Sequence, residues 1–188
     1  VLESLIVDVN ILRKDSYSVI FKKKYVLRKQ LLQAHILNKK GLMQIALKLY
    51  DKIIKVGSLF ELYDEVIEAL LEKLTIASGG RENLSIKLIK DQIDEYENEK
   101  KELREIKYLI QNYSATLVVK ADGGDLRRSL ALKIKKVQKR SANIKSYNAK
   151  SILLLLKLEY CILINEPRIF IRNGLKLKEL ILNNPAIY

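Results

Sequence analysis

The sequence predicts an all-α fold. Apolar residues recur at steps of three and four along almost the whole of the 188-residue chain, which is the period of an amphipathic helix. Only two prolines occur, Pro167 and Pro185, and few segments alternate with the period of two that is typical of a strand. Glycines fall in short breaks between the periodic segments, where a left-handed residue closes a helix. These three observations indicate helices joined by tight connections.

The breaks divide the chain into an N-terminal helix and four helix pairs. They are Lys40-Gly41, Val56-Gly57, Ser78-Gly79-Gly80, Asp122-Gly123-Gly124 and Asn165-Glu166-Pro167. We expect the N-terminal helix over about 2–22, with an interruption near Asp15 as the alternative. The pairs are expected over about 24–39 with 42–55, 59–77 with 83–98, 100–120 with 126–144, and 146–164 with 168–182. Because the connections are short, each pair is expected to be antiparallel. One continuous helix over 83–120 is the alternative, since 97–105 contains no helix breaker.

Several residues have the character of helix caps. Ser58 and Glu61 form a capping-box pattern for a helix that begins at Leu59. Asn83 and Asp125 are candidate N-caps because their side-chain oxygens accept from the first backbone N–H groups. Pro167 suits the first turn of a helix, where its missing N–H leaves no hydrogen bond unmade.

The most informative spacing lies in the first pair. It consists of Ala34, Leu37, Gly41, Ala46, Tyr50 and Ile53. With a turn at Gly41, the remaining residues lie on facing sides of two helices. The two alanines allow a close approach and the tyrosine fills the gap beside them. Such a hairpin is the unit of a helical repeat array, and arrays of this class bind partners.

Residues 27–60 resemble the tetratricopeptide repeat, which places a small residue, a large apolar residue, a turn glycine, an alanine, an aromatic residue and a small residue at these intervals. The chain departs from the repeat at several positions. Ile53 is larger than the family's usual alanine, Gln30 and Gln33 replace bulky apolar residues, and Ser58 stands where a proline often ends the repeat. The other pairs keep the hairpin plan without the spacing.

The resemblance implies a right-handed α-solenoid of about four antiparallel helix pairs with an N-terminal helix, as a single domain over 1–188. An irregular helical bundle is the alternative. In the family, the first helix of each pair lines a concave groove, and on this chain that side would hold Arg28, Leu31, His35, Asn38 and Lys39. The spacing of the first four independently places them in one stripe. Their cations and amide would bind an acidic peptide by charge-assisted hydrogen bonds, unless the stripe is only a solvated polar face.

The net charge of +13 is concentrated at the two ends of the chain, 1–57 and 113–188, while 58–112 is acidic. No acidic residue lies between Asp125 and Glu159. The basic patch in this interval comprises Arg127, Arg128, Lys133, Lys136, Lys139 and Arg140. It supports an alternative function, a basic nucleic-acid-associated protein or regulator without sequence specificity, since few groups are present that stack on bases. Ordinary solvated lysines explain the same charge.

The sequence offers no pattern of a catalytic site. His35 and Cys161 are the only residues of their types, too few for a zinc site with three or four such ligands. Phosphate-binding loops and nucleophile elbows are missing from the sequence. The carboxylates Glu61, Asp64, Glu65, Glu68 and Glu72 are expected to form a solvated face opposite an apolar stripe. We therefore expect a chain that is not an enzyme and that binds neither a cofactor nor a metal.

The longest apolar-rich stretch, 152–164, includes Lys157 and Glu159 and is shorter than the roughly 20 residues that span a bilayer. We therefore expect no membrane span. A single cysteine is compatible with a reducing cytoplasm. The chain has no leader pattern and no initiating methionine, which fits a processed protein or a segment of a larger one. The expected function is a non-catalytic interaction scaffold that presents a helical-repeat groove to a protein or peptide.

Overall fold

The computed structural model describes residues 18–80, 84–119, 128, 131–132, 134 and 145–184. Over these residues it has six helices with defined bounds, further helical residues at 128, 131–132 and 134, and no strand. The helices are α1 (Val19–Lys39), α2 (Met43–Leu59), α3 (Tyr63–Ser78), α4 (Ile86–Val119), α5 (Tyr147–Leu163) and α6 (Pro167–Leu182). The all-α prediction is confirmed for this part of the chain. Most of the helices expected over 2–22 and 126–144 lies outside the described residues.

The chain divides into two compact units, Val1–Glu97 and Asn98–Tyr188. In the first unit, α1 packs against α2, α2 packs against α3, and α3 also contacts α1. In the second unit, α5 packs against α6. In these pairs, helices joined by a short connection are neighbours in space. The expectation of a single domain over 1–188 stays a prediction.

Three of the helix connections share one hydrogen-bonding pattern. After α1, the Leu42 N–H donates to the Leu37 carbonyl and the Gly41 N–H donates to the Asn38 carbonyl, both at 3.0 Å. The same pair of bonds recurs after α2 and after α5. In each, the residue past the helix end is left-handed: Gly41, Glu61 and Asn165 have φ values of 78°, 52° and 55°. This is the Schellman motif, and it turns the chain back within a short connection.

The break predicted at Val56-Gly57 is wrong, because α2 continues through Gly57 to Leu59. A Cβ atom at position 57 would lie 2.6 Å from Cγ2 of Val66 on α3. The glycine is therefore required by the close approach of two helices and does not mark a helix end.

The capping box predicted at Ser58 and Glu61 is also wrong. The Ser58 hydroxyl donates to the Ile54 carbonyl at 2.7 Å and lies 2.7 Å from the Tyr96 hydroxyl. Helix α3 begins later, at Tyr63, without a side-chain cap. Ser58 thus occupies the last turn of α2, where a serine bonds back to the preceding turn.

The two helices expected over 83–98 and 100–120 are one helix, α4, of 34 residues. The alternative of one continuous helix over 83–120 is therefore correct, because nothing in this segment interrupts the helical hydrogen bonds. Three serines cap helices in the described residues: Ser18 accepts from the Phe21 N–H at 3.2 Å, Ser85 from the Leu88 N–H at 3.4 Å, and Ser146 from the Ala149 N–H at 3.0 Å. The candidate caps Asn83 and Asp125 lie outside the described residues. Pro167 is in the first turn of α6, as expected.

The spacing in the first pair predicts the core correctly. Ala34, Ala46, Tyr50 and Ile53 have no exposed surface, while Leu37 is half-buried. A second cluster joins α3 to the first turns of α4 through Val66, Leu70, Ala77 and Ile89. In the second unit Cys161 is buried, with the Asn173 amide nitrogen 3.8 Å from its Sγ. No helix within the described ranges is long and apolar enough to cross a membrane.

Candidate functional site

A cleft of about 440 Å³ lies between α1 and α3. Its lining residues are Arg28, Leu31, Leu32 and His35 from α1 and Asp64, Glu65, Glu68 and Glu72 from α3. On each helix these residues step mainly by three or four, so each set is a single helix face. The two tight connections make α1 and α3 neighbours although α2 separates them in the sequence. The cleft is therefore built by packing between helices that are distant along the chain.

Glu65 is the most buried charged residue of the cleft, at 1% exposure. Its Oε1 accepts from Nε of Arg28 at 2.8 Å and lies 3.8 Å from Nζ of Lys24. Its Oε2 is also buried and has no hydrogen-bond partner among the residues that the structure describes. A carboxylate in this position needs a cation nearby, because burial removes the water that would otherwise stabilise its charge. Arg28 supplies that cation and leaves one carboxylate oxygen unsatisfied.

Tyr50 of α2 lies near the carboxylates at the other end of the cleft. Its ring is fully buried, and its hydroxyl makes no hydrogen bond of normal length and geometry within the described part of the chain. Burial raises the pKa of Tyr50 to about 12; the negative charge of Glu72, a weak interaction of the hydroxyl with that carboxylate and the charge of Glu68 act in the same direction. Glu72 also approaches α1, with its Oε1 3.5 Å from Nδ1 of His35. Tyr50 therefore keeps its proton at neutral pH beside an acidic wall.

The lining carries four carboxylates against one guanidinium. Asp64 and Glu68 are exposed and Glu72 is half-buried, so the negative charge faces the opening. This sign is opposite to the net charge of +13 for the whole chain. The cleft is thus an acidic site on a basic protein, and such a local field attracts cationic groups.

The expectation that the α3 carboxylates form a solvated face is wrong for Glu65. Helix α3 contacts both α1 and α2, so it buries a wider part of its surface than a helix with one partner. Glu65 falls within that wider part, while Asp64 and Glu68 beside it stay exposed. Glu61 is in the left-handed position of the connection after α2 and does not line the cleft.

The structure brings together three of the five residues predicted for the partner groove: Arg28, Leu31 and His35. Asn38 is half-buried and Lys39 is exposed, and neither lines the cleft. The sequence interpretation missed Leu32 and the whole acidic wall on α3. The acidic stripe was visible in the sequence, but nothing there indicated that it faces α1.

Arg128 is the one member of the basic patch among the described residues, and it is exposed and helical. Its other members, Arg127, Lys133, Lys136, Lys139 and Arg140, lie outside those residues. The patch therefore stays a prediction.

The described ranges contain no group of three or more His, Cys, Asp or Glu side chains placed to hold a metal ion. The cleft carboxylates follow the axis of α3 and do not converge on one point, as metal ligands must. Comparison of the chain with protein-family models, curated proteins and solved structures gives no match. The cleft between α1 and α3 is therefore the feature that indicates a function.

We predict that Tyr50→Phe makes stability less sensitive to alkaline pH. The folded state holds the Tyr50 proton up to a pKa of about 12, whereas an unfolded tyrosine releases it near its ordinary value of about 10. This titration therefore leaves stability unchanged below pH 10 and lowers it as the pH rises from 10 toward 12, where the folded state binds more protons than the unfolded state. Without this titration, the variant should lose less stability than the wild type between pH 8 and pH 11. Urea unfolding at both values measures the difference.

At neutral pH, Tyr50→Phe should change stability by less than about 1 kcal/mol, because the buried hydroxyl that it removes has only a weak interaction, with Glu72. A large loss of stability at pH 7, or an alkaline loss equal to that of the wild type, would contradict this interpretation of Tyr50.

Proposed function

We propose that the chain is a non-catalytic protein-interaction scaffold that binds a protein or peptide segment in the cleft between α1 and α3. The supporting observation is the composition of the cleft, which combines apolar surface from Leu31 and Leu32 with charged side chains from both helices. Its volume of about 440 Å³ is within the range of binding pockets. Leu32 is 61% exposed at this site, so it is available to a partner.

We also propose that the helices belong to a right-handed, tetratricopeptide-like α-solenoid. Two observations support this arrangement. The hairpin over 27–60 buries the small and aromatic residues that such a repeat would bury, and α3 packs against both preceding helices, as stacked repeats require.

The buried thiol of Cys161 suits a reducing compartment, and we propose that the protein is located in the cytoplasm.

Nucleic-acid binding is the competing function, and no described residue favours it over the scaffold. Arg128 is the one described member of the basic patch, and the cleft would repel a phosphate backbone. A basic chain of this charge is expected to bind nucleic acid weakly and to release it as salt screens the attraction.

The proposed function is tested by selecting peptides from a random library on the folded chain. The selected peptides are then titrated against two variants, Leu32→Ser in the cleft and Leu88→Ser on α4. These leucines are 61% and 64% exposed, so their replacement removes similar apolar surface from similar environments. Leu88 does not line the cleft.

We expect Leu32→Ser to weaken peptide binding about fivefold or more, as truncation of an important interface residue does. Leu88→Ser should bind like the wild type. Failure to select any peptide, or equal effects of the two changes, would contradict a binding role for the cleft.

A further inference from the structure

We propose that the cleft recognises a lysine or arginine side chain of the partner segment, with Glu65, Glu68 and Glu72 as its acceptors. This inference rests on the proposed function and specifies the chemistry of the partner. It replaces the acidic partner that the sequence favoured, because that expectation considered only the residues of α1.

The first argument comes from the unsatisfied oxygen of Glu65. Arg28 holds the carboxylate through Oε1 at 2.8 Å, while Oε2 is buried without a partner among the described residues. A buried acceptor that makes no hydrogen bond destabilises the structure that contains it. Lysine offers three N–H donors and arginine offers five, so either side chain can satisfy this oxygen after the Glu65 carboxylate turns toward the cleft that it lines. An acidic side chain has no donor for it when ionised.

The second argument comes from the balance of charge around that oxygen. Glu68 and Glu72 add two carboxylates to Glu65, and Arg28 is the one guanidinium of the lining. Lys24 lies 3.8 Å from Glu65, on the oxygen that Arg28 already contacts. These three carboxylates therefore outnumber the two cations, Arg28 and Lys24, that approach them. Charge-assisted hydrogen bonds to a cation are stronger than those between neutral groups.

The third argument comes from the apolar part of the lining. Leu31 and Leu32 lie on the same wall as Arg28, facing the carboxylates of α3. Lysine and arginine carry long methylene chains that pack on apolar surface while the charged end reaches polar groups. A basic side chain therefore matches both components of the cleft, whereas a purely apolar side chain would leave the carboxylates without partners.

The acidic stripe also indicates an elongated partner. From Glu65 to Glu72 the helix advances about 10 Å, at roughly 1.5 Å per residue. An extended peptide covers that distance with about three residues, at roughly 3.3 Å each. A segment with two basic residues within such a stretch would contact both ends of the stripe. The occupant of the cleft is a segment of another protein.

The test uses the tightest peptides selected from the random library and synthetic versions in which each lysine or arginine is replaced by glutamine. We expect the selected peptides to be enriched in lysine or arginine. Replacement of the critical basic residue should weaken binding about tenfold or more, as loss of one close charge pair does. This arm needs no variant of the protein, so it is independent of any effect on folding.

A second arm changes the cleft itself. Glu68→Gln combined with Glu72→Gln should weaken binding of the selected peptides about tenfold. Asp91→Asn combined with Asp94→Asn removes the same charge from exposed positions on α4 and should leave binding nearly unchanged. Peptides that already carry glutamine should be insensitive to the change in the cleft.

The outcomes separate this inference from the proposed function. Selected peptides that lose affinity with Leu32→Ser but show no preference for basic residues would overturn the inference and leave the scaffold intact. Failure to select peptides would overturn both this inference and the proposed function.

Sedimentation velocity tests the competing occupant of the cleft, a second copy of this basic chain. A dimer that is lost in the Glu68→Gln, Glu72→Gln variant and kept in the Asp91→Asn, Asp94→Asn control would overturn the assignment to another protein.

Discussion

Arg28→Leu is expected to lower the free energy of unfolding by about 1–3 kcal/mol, as loss of a hydrogen-bond partner does for a buried acceptor. Arg28 donates to Oε1 of Glu65 at 2.8 Å, and the Glu65 side chain is almost completely buried. Without the guanidinium, the carboxylate would keep its buried charge with Lys24, at 3.8 Å, as its remaining cation. The loss should be smaller than for a fully buried pair, because the Arg28 side chain is 62% exposed and Lys24 compensates in part. Denaturant unfolding followed by circular dichroism measures it.

Two variants determine whether the loss comes from the buried charge. Combining Arg28→Leu with Glu65→Leu removes both charges and should recover most of the stability, because well-packed apolar residues often replace a buried pair without loss. Arg104→Leu removes an exposed arginine from α4 and should change stability by less than about 0.5 kcal/mol. If Arg28→Leu is as harmless as Arg104→Leu, Glu65 does not depend on Arg28.

Gly57→Ala is expected to destabilise the chain by about 1–3 kcal/mol, as overpacking of a core does. The new Cβ would lie 2.6 Å from Cγ2 of Val66 and 3.5 Å from Cδ1 of Leu27. Val66 has no exposed surface and a short branched side chain, so it has little room to move. The clash should outweigh the gain of about 0.5–1 kcal/mol that alanine normally brings to a helix interior.

Gly174→Ala on α6 is the matched control. A Cβ at this position would meet no atom within 4 Å, so the variant should show the ordinary stabilisation of about 0.5–1 kcal/mol. Comparison of the unfolding midpoints of the two variants isolates the effect of close packing. If both alanines stabilise the chain, α2 and α3 do not approach each other as closely as the Gly57 environment requires.

The features that the sequence predicted are local. The α1–α2 hairpin was predicted because Ala34, Ala46 and Tyr50 lie close in the sequence and their spacing follows the helical period. The connection after α2 was misplaced because its left-handed residue is Glu61 and not a glycine. A residue with a side chain adopts this conformation only where the surrounding structure imposes it, so the sequence gives no signal. Gly57 was misinterpreted because a glycine indicates either a helix end or a close contact.

The cleft depends on long-range packing, and this is why only three of its eight lining residues, Arg28, Leu31 and His35, were predicted to form a groove. Arg28 and Glu65 are 37 positions apart. Each was recognised as part of a stripe on its own helix, but helical periodicity does not say which stripes face each other. The carboxylates of α3 give the cleft its negative charge, so the expected partner is basic, whereas the residues of α1 alone indicate an acidic partner.

The most direct test of the central claim is site-specific photo-crosslinking to a selected peptide. A benzophenone amino acid replaces either Leu32 in the cleft or Leu88 on α4, which are similarly exposed. We predict a covalent adduct from position 32 that an excess of unlabelled peptide abolishes, and little adduct from position 88. Equal yields from the two positions, or an adduct from position 88 alone, would show that the peptide binds elsewhere and would contradict the assignment of the α1–α3 cleft as the binding site.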